Sequence, residues 1–518
     1  MKRLYALLLM VSCFYHASAQ TPDWSNSVAA IIYDNCTGCH RPGEIGPFPL
    51  TNYLEAADYA FSIQSAVNAK VMPPWSPDAN YVHFTGERIL TETQIATIND
   101  WVNAGAPEGN PDLAPPLPSF VDGSQLGAPD LVLQMSESYT TPGNGEDDYH
   151  IFVLPSGLTE DKYISAVEFR PGNGAAVHHA LIYVDTTGKG QIKDAAYPGY
   201  GYKGIGIAGS IGFDAPSIGG WAPGNLAVMM PQDIAQKIYA NSDILLEMHF
   251  APSASPLSDQ SLINIFYSDV PDPRIVKAGS VDELDISNGW LSIPANTVKT
   301  FYSDKSINTP ISLLTVTPHM HLLGQTMKAF AVTADNDTIE IIDCNYDFHW
   351  QNEYMFQKLL PIPAGSKIYM TTVYDNTANN PDNPNNPPQD VSWGIQTTDE
   401  MQILFYSYLD YEPGDENIVL DSSLISTETF VDLQAAENIS VFPNPAMDYF
   451  LVSGTTAEAA IVVLRLFNAM GMLIEERSIY VKGNSFMEQF NTSQLPGGFY
   501  FLETSTKEEL RLNRIVRQ

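Results

Sequence analysis

Ile311-Ser312-Leu313-Leu314-Thr315-Val316-Thr317-Pro318-His319-Met320-His321-Leu322-Leu323-Gly324 is the stretch that decides the fold. Its first half is a strand-length apolar run. Its second half carries two histidines two positions apart, just before a glycine. Successive strand side chains alternate between faces, so residues i and i+2 share one. His319 and His321 therefore point the same way and can grip one ion together. Similar runs recur at Ala180–Val184 and Ile244–Phe250, separated by Pro, Gly, Asn and Asp clusters. From about residue 125 to 420 this texture predicts one or two antiparallel sandwiches, with a long polar loop at Asp375–Gln389.

The flanks read differently. Residues of about 25 to 110 are helical in pattern. Ala56–Lys70 is a good helix former, and Thr91 with Gln94 opens a second helix running to Val102. Pro107–Pro118 is a proline-rich linker. The last eighty or so residues form another short β unit, with a hairpin turn at Asn468–Gly471 and a basic final strand, Arg511–Arg517. No internal repeat is evident.

At 518 residues the chain is long enough for roughly three to four domains, and 44% hydrophobic content supplies their cores. Lys2 and Arg3, the apolar run Leu4–Val11 and the small residues Ala17-Ser18-Ala19 read as a secretory signal over residues 1–19. That run is too short to cross a bilayer, and no later stretch reads as a membrane segment. A formal charge of −35 excludes a nucleic-acid partner, since a phosphate backbone would be repelled. Of the four cysteines, Cys13 lies in the signal, Cys36 and Cys39 share a motif, and Cys344 stands alone. An exported chain with that pattern has no disulfide framework, so the paired cysteines point to chemistry.

Cys36-Thr37-Gly38-Cys39-His40 has the spacing of a c-type haem attachment, with two thioether cysteines followed by an iron-binding imidazole. Half a zinc ribbon would need a second cysteine pair, and a thioredoxin-like site would need a βαβ setting. Met72, in Val71-Met72-Pro73-Pro74-Trp75, is the expected second axial ligand, with His83 as its rival. With Trp101–Pro107, this region resembles the small cytochrome domains fused to exported oxidases.

Three histidine clusters stand out in the β region: His178-His179, His249 at the end of Leu245–His249, and His319 with His321. Adjacent His178 and His179 would face opposite ways in a regular strand, so sharing an ion needs a bulge or a strand end. Imidazoles alone allow zinc, copper, iron or nickel, whereas a thioether would select copper.

Val177-His178-His179-Ala180, Gly220–Gly224 (GWAPG), Leu246–Phe250 (LEMHF), Thr317–Gly324 (TPHMHLLG) and Thr397-Thr398-Asp399-Glu400-Met401 together resemble the copper type II, ascorbate-dependent monooxygenases, the peptidylglycine and dopamine β-hydroxylating family. The resemblance implies two consecutive β-sandwiches, residues 125–285 and 286–420, and two copper ions. His178, His179 and His249 would hold the electron-transfer copper. His319, His321 and Met401 would hold the oxygen-activating one. It also implies hydroxylation of a C–H bond in a small-molecule or peptide substrate, with O2 and a one-electron donor. One covalently bound haem over residues 25–110 would suit that donor role, because it too moves single electrons. Asp194–Ser217 matches no motif of the family, and His349 is not among the implied ligands. Asn438–Pro445 (NISVFPNP), Leu466–Gly471 and Leu495–Phe501 resemble the type IX secretion sorting domain, which implies export by that machinery over residues 438–518.

The fold expected is therefore multidomain: a small all-α cytochrome c domain, two antiparallel, jelly-roll-like copper sandwiches and a small C-terminal β-sandwich. Two other functions fit the same residues. One is a haem/copper electron-transfer protein, and the other is a copper-binding surface protein without hydroxylase activity.

Overall fold

A computed structural model describes residues 21–421 and 439–517, apart from 43, 45, 119–122, 205, 207–214, 224, 226, 232 and the C-terminal positions 445, 448, 456–459, 469–472, 482–484, 494, 497 and 506–509. The secretory signal and the turn inside Asn468–Gly471 lie outside the described residues. Two compact units result: residues 1–354 with 361–411, and 355–360 with 412–518.

The first unit opens with four short helices, α1 (Ala29–Asn35), α2 (Tyr53–Asp58), α3 (Ala60–Asn68) and α4 (Glu92–Asn103). The helix expected over Ala56–Lys70 is two, because Tyr59 leaves the helical region at φ −105° and ψ 13°. Thr91 caps α4 through a reciprocal box with Gln94, which satisfies two backbone donors at once. Trp24, Ile32, Ile63, Ile98 and Trp101 form the core of this domain. Its end is pinned by Trp101 Nε1, which donates to the Pro107 carbonyl at 3.0 Å.

The first sandwich packs two five-stranded sheets. One places Asp243–Phe250 between Asp148–Pro155 and Val177–Asp185, with Tyr202–Lys203 and Ser217–Trp221 at its edges. The other runs Leu131–Gln134, Leu262–Tyr267, Lys162–Arg170, Ile234–Ile238 and Arg274–Ile275. Phe152, Ile182, Leu246, Met248, Ile263 and Ile265 fill the space between them. Every residue of Asp243–Phe250 is buried, since Tyr183, Tyr202 and Ala215 cover its outer face. That explains why the strand reads as an apolar run instead of an alternation.

In the second sandwich, Gln402–Asp410 lies between Lys277–Val281 and Ile311–Met320, antiparallel to both. Its facing sheet orders Thr297–Ser306, Lys367–Asn376, Gly324–Val332 and Thr338–Asn345. Val281 pairs with Leu404 and Lys277 with Tyr408, so this strand belongs to the second sandwich. The chain passes from one sandwich to the other between Ile275, paired with Ala235, and Lys277.

The C-terminal domain is mostly β. It has one sheet of Ile439–Phe442, Tyr449–Thr455 and Ser485–Asn491, and another of Leu473–Val481, Ala460–Asn468, Gly498–Ser505 and Leu510–Arg517. Phe450, Val452, Val462, Leu464, Phe490, Leu502 and Ile515 are its core. Among the described residues, no helix is long and apolar enough to cross a membrane.

Candidate metal centres

The first centre is built by an irregularity in pairing. Val177 faces Phe250 and His179 faces His249, so the register shifts and His178 is the extra residue. This bulge turns both adjacent histidines toward His249, which a regular pleat would forbid. His178 Nδ1 lies 3.1 Å from His179 Nδ1, and His249 Nδ1 lies 3.4 Å from the same atom. One ligand atom from each lies within 4.8 Å of the others. Asp147 Oδ1 accepts from His249 Nε2 at 2.7 Å, which puts the proton on that nitrogen and leaves Nδ1 as a bare lone pair. Burial, reinforced by the neighbouring imidazoles, pushes His178 down to about 4 and holds His179 well below the ordinary range. Three imidazoles whose Nδ1 atoms converge fit a soft or borderline cation.

The second centre uses the other ring nitrogen. Strand Ile311–Met320 stops one residue before His321, yet the two rings still meet at 5.3 Å, edge to face. His319 Nδ1 donates to Gln351 Oε1 at 2.7 Å, and His321 Nδ1 donates to the Asp399 carbonyl at 3.2 Å. Both Nε2 atoms are thereby left as acceptors. Burial keeps both imidazoles neutral, His321 down to about 3. Met401 immediately precedes Gln402, which pairs with Met320, so it stands across the strand from His321. Its carbonyl accepts from the Tyr374 hydroxyl at 2.8 Å.

A buried carboxylate organises this corner. Glu400 accepts from the backbone N–H groups of His321 (2.9 Å), Leu323 (2.7 Å) and Met401 (3.3 Å). It therefore clamps both histidine and methionine segments. Burial pushes it up to about 8 despite those three donors.

The two centres flank one aromatic ring. The Phe348 ring stands 6.1 Å from His178 and 6.1 Å from His321. Tyr149 lies flat on His249 at 4.2 Å, and its hydroxyl meets Thr397 Oγ1 at 3.0 Å. His349 is half exposed, bonded through Nδ1 to Asp347 at 3.2 Å, with its ring 6.5 Å from His178. Part of Asp194–Ser217 folds over the outer face of the first sandwich, where Gly206 N donates to Glu247.

In the helical domain, the thiols of Cys36 and Cys39 are free. His40 Nδ1 donates to the Phe48 carbonyl at 2.9 Å, which leaves the ring's lone pair on Nε2. Met72 is half-buried in a bend after α3. The rival His83 is exposed and bonded to Glu87 Oε1 at 2.9 Å.

Two family models match the sequence. Residues 291–422 match the copper type II ascorbate-dependent monooxygenase, C-terminal domain. These residues are thus similar to the C-terminal domain of that family. Residues 440–518 match the secretion system C-terminal sorting domain, so this copper monooxygenase-like chain is exported, to the cell surface or beyond it. No curated protein matches. Solved structures similar to it include Faecalibacterium prausnitzii β-glucuronidase, at 10% identity over 49% of this chain and 47% of that one, TM-score 0.14. A β-glucuronidase from Ruminococcus gnavus matches at 11% identity over 48% and 45%, TM-score 0.13. The chain thus spans about half the length of these enzymes, and likenesses this faint carry no argument.

The matched residues 291–422 contain His319, His321 and Met401. Sequence reasoning did not assign Asp147, Tyr149, Phe348, Gln351 or Glu400. Glu400 lies within Thr397–Met401, in a polar run just before the strand Gln402–Asp410, where nothing local marks it as buried. The others become visible only once the chain folds.

Proposed function

We propose that the chain is an exported copper-dependent monooxygenase that hydroxylates a C–H bond with O2. His178, His179 and His249 hold one copper, and His319, His321 and Met401 hold a second. The observation that carries the reading is the pair of imidazole groups with bare nitrogens, Nδ1 in one and Nε2 in the other, with the Phe348 ring between them. Copper supplies O2 activation at one site and single-electron transfer at the other. The polypeptide supplies the rest. A Met401 thioether selects the reduced metal over zinc. Asp147 and Gln351 fix the ring tautomers. Glu400 holds His321 and Met401 in one frame. Phe348 narrows the space between the centres, which favours a small or slender substrate and keeps water out.

We further propose that Cys36, Cys39 and His40 carry one covalent c-type haem with Met72 as its far ligand, and that it donates the single electrons the coppers need. The free thiols and the His40–Phe48 hydrogen bond support this. The terminal domain delivers the chain to the type IX machinery.

The test is copper stoichiometry together with O2 uptake across peptide amides, amines and small organic molecules. The expected result is two coppers per chain, one in His319→Ala, with substrate-dependent O2 uptake abolished by that change. A chain that retains no copper after loading, or O2 uptake indifferent to His319→Ala, sinks the proposal.

A further inference from the structure

The helical domain is joined to the second sandwich by added strand pairing. Asp78 N donates to the Asp343 carbonyl at 2.8 Å and Asn345 N to the Ser76 carbonyl at 3.1 Å, with Pro77 bridging Cys344 between them. Residues 76–78 thus extend the sheet at Thr338–Asn345, the β-augmentation mode in which backbone bonds hold two modules together. Side chains seal the seam. Trp75 and Phe84 both pack on Tyr354, at 5.4 and 5.5 Å, and Lys328 Nζ sits 4.1 Å above the Tyr81 ring. The haem motif looks onto the same seam, because buried Arg88 interacts electrostatically with both Cys39 and Tyr354. Trp75 Nε1 is sealed from solvent with no hydrogen-bond partner, a donor left over for a group the polypeptide does not supply.

The chain leaving the strand that receives this docking leads to both metal centres. Tyr346 donates its hydroxyl to the Met320 carbonyl at 2.5 Å, between His319 and His321. Phe348 spans His178 and His321, and Gln351 holds His319 while its Nε2 donates to the Phe348 carbonyl at 2.9 Å. Nine consecutive residues therefore touch the helical domain at one end and both imidazole groups at the other.

We propose that Asp343–Gln351 is the built-in electron route from the helical domain to the copper centres, entered at the Trp75–Tyr354 seam and completed by Phe348. The inference rests on the haem and copper reading above and adds the path. Each transfer takes one electron from ferrous haem, leaving it ferric, and reduces one Cu(II) to Cu(I). No bond forms or breaks and no proton is required.

The experiment uses the full chain, loaded with Cu(II) and free of O2 and substrate. A photoreductant reduces the haem in a flash. Haem oxidation is followed by its visible absorption, and copper reduction by loss of the Cu(II) paramagnetic signal. The wild type is expected to show a fast, concentration-independent phase. Phe348→Leu and Trp75→Leu should each lose that phase while haem content, copper content and the Cu(II) spectrum stay as in the wild type. Phe330→Leu, which removes an aromatic stacked on Tyr369 in the same sandwich, should keep it. Should Phe348→Leu disturb copper binding, Trp75→Leu decides, since it touches no metal-binding residue. Wild-type rates in both variants, with haem and copper in place, overturn the route and leave the functional reading standing. A wild-type chain that carries no haem overturns both.

Discussion

Asp147 Oδ1 sits 2.7 Å from Nε2 of His249, on the side of the ring away from His178 and His179. The bond fixes which nitrogen is bare, aims it and raises its basicity. Carboxylates that steady a ligating imidazole in this way are worth about 10–100-fold in metal affinity. Asp147→Asn is therefore expected to weaken copper binding at the three-histidine centre by about that factor. Copper at the second centre should be untouched. Competition titration with a chelator, read against His319→Ala to isolate one centre, checks this. An unchanged affinity contradicts it.

Glu400 has three backbone donors and no solvent exposure. Removing the carboxylate strands those donors, and each buried unpaired donor costs about 1–3 kcal/mol. Glu400→Ala should lower the melting temperature sharply and release copper from the His319–His321–Met401 centre first. Glu400→Gln keeps an acceptor oxygen and should recover part of both. Calorimetry with copper analysis reads the outcome. An alanine variant as stable as the wild type refutes the clamp.

Acid should destabilise the metal-free protein in a specific window. Burial holds His178 down to about 4 and His321 down to about 3 in the folded state, whereas unfolded imidazoles titrate near about 6.5. Below about 6.5 the unfolded chain binds more protons than the folded one, so stability falls as pH falls toward 4 and 3 and is complete above neutrality. Melting temperatures of the copper-free protein across that range are expected to drop, and the drop should shrink in the His178→Ala, His321→Ala double variant. A flat or rising profile on acidification contradicts this account.

Gly46 lies against the haem motif. A methyl group there would stand 2.7 Å from the Cys39 carbonyl oxygen and 2.9 Å from His40 Cγ. Gly46→Ala should therefore tilt the His40 imidazole off the Phe48 carbonyl. The expected outcome is a smaller haem-bearing fraction by mass spectrometry and a shifted absorption band in what remains. Full haem attachment with an unchanged spectrum refutes it.

Tyr149 joins the two sandwiches by stacking on His249 and bonding Thr397. Tyr149→Phe keeps the stack and loses the bond. A cost of about 0.5–1.5 kcal/mol is expected, with copper affinity preserved. Tyr149→Ala should lose both, measured by denaturant unfolding and copper titration in parallel.

The sequence by itself determined the local things. The apolar runs ending at His249 and His321 are strands because their residues suit a pleated, buried surface. His178-His179 and His319-Met320-His321 stood out as candidate ligands because their spacing lets two imidazoles reach one ion. The sorting domain was equally legible, since its motifs lie within one short stretch of chain. The tertiary structure decided everything that depends on residues far apart in the chain. Only the shifted register opposite His249 turns His178 and His179 to one side. Asp147 and His249 are about a hundred positions apart, and Gln351 and His319 about thirty, so no window along the chain could link them. The strand Lys277–Val281 belongs to the second sandwich because its partner is Gln402–Asp410, which comes more than a hundred residues later. Ring tautomers follow from such distant partners, because a proton settles on whichever nitrogen faces an acceptor, and acceptors are brought there by folding.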